Sequence, residues 1–169
     1  MVRIPESGMM FLVKNENELF RIEKSMLYRK MGDSIKTVEF ISYSETKLRF
    51  VEAKTSAPKP ESGENFIEFV NDVSNKFAHS LDMYLAVILK RMKDEINEMS
   101  ELLKTVDIEN ATIYFMLVVK GHQKEWMLHI TEALNKKLSR YAKIWSIRII
   151  AINDETAHQR GIIEEVITQ

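Results

Sequence analysis

Lys36–Thr55 reads KTVEFISYSETKLRFVEAKT, and the fold turns on this stretch. It is rich in Val, Ile, Phe and Tyr, the residues that suit a pleated, half-buried surface. Two strands are expected, Lys36–Tyr43 and Lys47–Thr55, joined at Glu45-Thr46. Side chains alternate along a strand, so Leu48, Phe50, Glu52 and Lys54 share a face. Leu48 and Phe50 mark that face as turned toward protein, yet two charged groups follow on the same stripe. A hairpin closing symmetrically around Glu45-Thr46 sets Glu39 directly opposite Glu52, with Cβ atoms roughly 5 Å apart. A turn of odd length would shift that pairing. Two carboxylates so close repel each other, and burial worsens the repulsion. A divalent cation is the simplest agent to offset it, since hard cations take carboxylate oxygens. The Lys54 amine, one step farther along the face, is a second.

Outward from the hairpin, the chain alternates between strand and helix signals. On its N-terminal side Leu19–Met31 carries Leu19, Phe20, Ile22 and Leu27, a helix is expected over Ser25–Met31, and Gly32 stops it. On the other side Thr55–Gly63, with Pro58 and Pro60, reads as an internal loop. Glu64–Val106 holds no Gly or Pro, and its apolar residues recur at steps of three or four from Phe66 to Val106. That is one face of a helix sustained for about eleven turns, a length of roughly 60 Å. A helix this long exceeds a small domain, so a break is expected near Ser80–Asp82; failing that, the far end protrudes and invites a partner. Ala111–Lys120 reads as a buried strand, and Gln123–Lys143 as a helix with Trp126, Ile130, Leu134, Leu138 and Tyr141 inward. Trp145–Asn153 is another apolar strand, followed by a polar tail with a small apolar segment at Ile162–Ile167. Strand, helix, strand in this order implies a parallel crossover. The expected architecture is α/β, a central mixed sheet flanked by helices, in one domain over residues 1–169.

The hairpin residues and this order of elements resemble the PD-(D/E)xK nuclease superfamily. The resemblance rests on Val38-Glu39-Phe40, the spacing from Glu39 to Glu52, and Glu52-Ala53-Lys54. It spans roughly Glu16 to Val119, with Gln123–Asn153 as an added helix and strand, and it implies a restriction-endonuclease-like core. Glu39 stands where the family more often has Asp, with no Pro before it. The resemblance implies that Glu39, Glu52 and the Ala53 carbonyl bind Mg²⁺ or Mn²⁺, with Glu23 contributed from the first helix in preference to Glu18. It implies that Lys54 activates water or contacts phosphate. Thr55 and Ser56 would meet phosphate oxygens, and Lys76, on the second helix beside Asn75 and His79, would face the metal or substrate. The implied activity is metal-dependent hydrolysis of DNA or RNA. The alternative is a catalytically inactive member of the same fold serving as a binding or assembly module, as a homodimer or with a protein partner through the long helix.

Each of these residues also has a plainer reading. Glu52 and Lys54 can form a surface charge pair on a half-exposed strand. Glu23, in Ile22-Glu23-Lys24-Ser25, can be an ordinary solvated or capping residue. Thr55 and Ser56 can simply shape the loop into Pro58. Lys59 with Lys36 and Arg49 would make a basic rim, or would only face solvent.

Composition bounds the alternatives. The chain has 169 residues, 45% hydrophobic and 29% charged, enough to build a core without disulfides. It has no cysteine, which excludes a disulfide framework, a zinc ribbon and a thiol nucleophile and fits a reducing compartment. The N-terminal residues lack the apolar core of a signal peptide, and the longest apolar runs fall far below the roughly 20 residues that span a bilayer. A cytoplasmic location away from membranes is expected. With 24 basic and 25 acidic residues, the net charge is −1, so nucleic-acid binding must rest on a local patch. His79, His122, His129 and His158 show no zinc-ligand spacing. No serine sits in a nucleophile-elbow motif, and the five glycines form no phosphate loop. Trp126, Trp145 and most of the ten methionines read as core or interface residues.

Overall fold

Strand-forming side chains in Lys36–Thr55 do pair as a hairpin, and everything else packs on the two faces it creates. The computed structural model describes residues 1–166. Strands β1 (Val2–Glu6) and β2 (Met9–Val13) form an antiparallel hairpin at the N-terminus. Strand β3 (Leu19–Phe20), helix α1 (Met26–Arg29), and strands β4 (Phe40–Ser44) and β5 (Lys47–Lys54) follow. Helix α2 spans Glu64–Ile88 and α3 Glu101–Lys104. Strand β6 (Thr112–Val119), helices α4 (Lys124–Lys137) and α5 (Ser139–Trp145), strand β7 (Arg148–Asn153), helix α6 (Asp154–Gln159) and strand β8 (Ile163–Val166) complete the chain.

The main sheet has the order β3-β4-β5-β6-β7, antiparallel from β3 to β5 and parallel from β5 to β7. This is the mixed, helix-flanked α/β sheet that the sequence predicts. One face carries Leu48, Phe50, Phe115 and Leu117 against Val73, Phe77, Leu81 and Tyr84 of α2 and Ile130 and Leu134 of α4. The other face carries Phe40, Val51, Ala53, Met116 and Val118 against Ile4, Met9 and Phe11. That second cover is a small sheet, β1-β2-β8, which the sequence reading did not include. Among the described residues no helix is long and apolar enough to cross a membrane.

Several expected boundaries move. The break in the long helix is not at Ser80–Asp82, which lie inside α2 with Leu81 fully buried. The helix ends after Ile88, where Lys90 takes a left-handed conformation (φ 57°) and the Arg91 amide bonds back to the Ala86 carbonyl. This is a Schellman-type stop built without glycine, and so it left no mark in the sequence. At about 1.5 Å per residue the 25-residue helix is roughly 37 Å long. The residues beyond it return to the core: Met99 and Leu103 are buried, and the Tyr84 hydroxyl donates to the Leu103 carbonyl at 2.7 Å. The continuous helix expected to Val106, with its far end protruding, therefore does not form.

The strand expected over Lys36–Tyr43 begins only at Phe40, because the Lys36 and Val38 amides donate to His79 Nδ1 and Ser80 Oγ of α2 instead of to a strand. The helix expected over Gln123–Lys143 is divided at Leu138. The strand expected over Trp145–Asn153 starts at Arg148; Trp145 instead closes α5 and is 39% exposed. The apolar segment Ile162–Ile167 supplies β8, while Ile167 lies outside the described residues.

Candidate functional site

The two-residue turn at the tip decides the site. Glu45 and Thr46 both have positive φ, 53° and 60°, the handedness that matches the twist of a tight hairpin. The register is therefore even: Ser44 pairs with Lys47, Phe40 with Val51, and the Glu39 amide donates to the Val51 carbonyl at 3.1 Å. The ladder ends there: the Glu39 amide bonds to the carbonyl of the residue already paired with Phe40. Glu39 therefore lies just outside the regular register and not directly opposite Glu52 as hairpin symmetry predicts, though near enough for the Glu52 charge to act on it.

Glu52 has no exposed surface, as its place on the Leu48–Phe50 stripe dictates. Lys76 of α2 lies 2.8 Å from its Oε1 and Lys54 lies 3.2 Å from the same oxygen. Both are ionic contacts, and neither Glu52 oxygen has a well-aligned hydrogen bond. Burial pushes the Glu52 carboxyl above its ordinary pKa, and the opposing pull of Lys76 and Lys54 does not fully cancel that. Burial acts on Lys76 in the opposite direction, but Glu52, Glu23 and Glu39 around it prevail and its pKa is raised.

Glu39 is half-buried and its pKa is pushed up to about 9. Loss of water is the largest cause, followed by a hydrogen bond with Glu23 and the charges of Glu52, Glu23 and Glu6. Glu23 sits in a 3-10 turn, Ile22–Lys24, and not in the first helix proper; its side chain also lies 3.9 Å from Lys76. Ser25 ends that turn and caps α1, donating to the Ile22 carbonyl and accepting from the Tyr28 amide, which fixes where Glu23 emerges.

The sequence-predicted residues thus divide. Glu39, Glu52, Lys54, Glu23 and Lys76 come together. The Ala53 carbonyl accepts a hydrogen bond from the Ser7 hydroxyl at 3.0 Å, so the N-terminal hairpin turn is pinned to the strand between Glu52 and Lys54. Thr55 and Ser56 are exposed at the start of the following loop; Ser56 lines an open cleft with Pro58, Asn65, Phe69 and Asp72. The basic rim does not form. Arg49 lies on the opposite face and donates to Ser44, Lys59 sits over the Trp126 ring, and Lys36 is paired with Asp72.

Sequence reasoning missed Glu6, Ser7 and Asp72. Glu6 is held by Arg21 and Lys24 and adds a fourth acid to the cluster. The turn pair Ser7-Gly8 between two apolar-bearing segments was the available signal for that hairpin. Asp72 stands four residues before Lys76, one turn along the same helix face, which was legible in principle.

The donor chemistry suits a hard cation: carboxylate oxygens of Glu39, Glu52 and Glu23 and the Ala53 carbonyl. The raised pKa of Glu39 among neighbouring acids, and the buried Glu52 oxygens without an aligned hydrogen bond, are compatible with a site that gathers acids. As the side chains stand, no group of three or more His, Cys, Asp and Glu among the described residues is arranged to hold a metal ion. Comparison with protein-family models, curated proteins and solved structures finds no match for this chain.

Proposed function

We propose that this chain is a Mg²⁺- or Mn²⁺-dependent phosphodiesterase that hydrolyses DNA or RNA. The observation that supports this most is the buried Glu52 carboxyl, set near Glu39, whose pKa is pushed up to about 9, and flanked by Lys54 and Lys76. A hydrophobic stripe that ends in a buried acid loses stability for no structural return, which is the usual mark of a working site. Glu39, Glu52, Glu23 and the Ala53 carbonyl would hold the cation. When bound, such an ion polarises a phosphate and lowers the pKa of a water. The protein's own groups do the rest. The Lys54 ammonium, at the open edge of the cluster, donates to a phosphate oxygen or to the attacking water and stabilises the negative charge that develops on phosphorus. Lys76, with Lys54, opposes the burial that favours the protonated form of Glu52.

The test is cleavage of labelled single-stranded, duplex and branched DNA and RNA by the intact chain with Mg²⁺ or Mn²⁺. Glu52→Gln and Lys54→Ala are each expected to lower the rate about 100-fold or more, the usual scale for removing one charge-stabilising group, while both variants stay folded. A chain that cleaves none of these substrates with either ion refutes the proposal.

One observation favours the second reading, an inactive nuclease-like module. Lys76 already neutralises Glu52 at 2.8 Å, as a cation would. Under that reading, titration calorimetry with Mg²⁺ gives no binding heat.

A further inference from the structure

Lys54 reaches from the end of β5 into a square of alternating charge. On the strand side stand Glu52 and Lys54; on the α2 side stand Lys76 and Asp72, one turn apart. Glu52 meets Lys76 at 2.8 Å, Lys54 meets Glu52 at 3.2 Å, and Lys54 meets Asp72 Oδ2 at 3.5 Å. The Lys54 amine thus shares one Glu52 oxygen with a nearer competitor. That contact alone is a poor tether for a flexible four-carbon side chain. Asp72 supplies the second anchor from the opposite side. It is fixed in turn, since its other oxygen accepts from Lys36 at 2.6 Å and its backbone lies within α2. Burial acts to raise the Asp72 pKa, but Lys36, Lys54 and Lys76 outweigh it and hold the carboxyl ionised below its ordinary value. Asp72 also lines the open cleft beside Ser56, Pro58, Asn65 and Phe69, so the partner of the Lys54 amine faces a concavity open to solvent.

We propose that Asp72 is a positioning residue of this site, holding the Lys54 ammonium between itself and Glu52 so that the amine meets an incoming phosphate already aimed. This rests on the reading that Lys54 serves phosphodiester hydrolysis. The bland competitor is a part-exposed ion pair that holds nothing in place.

The experiment uses the full chain carrying ¹³C-labelled lysine, with the Lys54 ε-methylene signal assigned by its loss in Lys54→Arg. Relaxation of that signal reports how firmly the side chain is held, whether or not the chain cleaves anything. In the wild type Lys54 is expected to be ordered; in Asp72→Asn it becomes mobile, and in Asp72→Glu the order returns. In the cleavage assay Asp72→Asn is expected to lower kcat about tenfold, with KM and Mg²⁺ affinity unchanged within about twofold and recovery in Asp72→Glu. If Asp72→Asn does not fold, Asp72→Ser serves as the neutral variant. A Lys54 that stays ordered in the neutral variant overturns the proposal, as does an unchanged kcat. If the wild type cleaves nothing while the neutral variant frees Lys54, the hydrolase reading fails and the Asp72 anchor stands.

Discussion

Replacing Glu39 with Gln should make the protein more stable at pH 8, although it removes a group from the candidate site. Folding lifts this carboxyl from an ordinary 4.5 to about 9, chiefly by burial and then by Glu23, Glu52 and Glu6. Converted in full, that shift is worth ~6 kcal/mol between the two protonation states. The carboxyl is still partly open to water, and screening reduces what reaches folding stability to ~2–3 kcal/mol. The sign follows from linkage. A group whose pKa is raised on folding binds its proton more tightly in the native state. Its contribution is complete below about pH 4.5 and is lost as pH rises through about 9. At pH 8 the wild type therefore bears most of this loss, whereas a glutamine bears none and still donates an amide hydrogen to Glu23. Urea denaturation from pH 5 to 9 should show the wild type falling relative to Glu39→Gln, with the gap widening to ~2–3 kcal/mol. For a chain of this size that is a Tm difference of roughly 5–10 °C. Adding Mg²⁺ at pH 8 should raise the Tm of the wild type and leave Glu39→Gln unmoved, because the cation takes the place of the proton. A variant less stable than wild type at pH 8, or an identical pH slope for the two proteins, would refute the account of Glu39 as a protonated acid forced among acids.

Two further changes test the same electrostatics and the turn that aligns it. Lys76→Met takes the nearer ammonium away from the fully buried Glu52; it should cost about 3 kcal/mol at pH 8 by urea denaturation, and less at pH 5, where Glu52 escapes by taking a proton. Thr46→Gly removes a β-branched residue from a positive-φ position and should add about 1 kcal/mol to stability, measurable as a higher urea midpoint with an unchanged denaturant slope; a loss of stability would show that the Thr46 hydroxyl bond to the Glu45 carbonyl outweighs the backbone relief.

What was legible in the sequence was whatever local periodicity controls. The alternation through Leu48, Phe50, Glu52 and Lys54 specified which side of β5 faces α2, and the two residues Glu45-Thr46 specified the even register from Ser44–Lys47 to Phe40–Val51. The three-and-four spacing from Phe66 to Ile88 specified the helix that brings Lys76 down on the same face. These are properties of a repeating backbone geometry, so they survive being read without coordinates. The end of that helix is different. Lys90 enters the left-handed region because Met99 and Leu103 have a core to return to, and the apolar period continues past the break as though the helix did too. No glycine or proline announces it.

The rest of the site belongs to tertiary structure. Glu6, Ser7 and Asp72 reach Glu39, Ala53 and Lys54 from elements far away in the chain, and no local pattern encodes which distant side chains share a pocket. The sequence by itself determined the strand faces and the hairpin register from Phe40 to Val51, but not the position of Glu39, which falls just outside that ladder. Only the packed structure decided that burial raises the Glu39 and Glu52 pKa values despite the lysines nearby, with neighbouring acids adding to it at Glu39, because desolvation and charge neutralisation depend on every element that closes over a group.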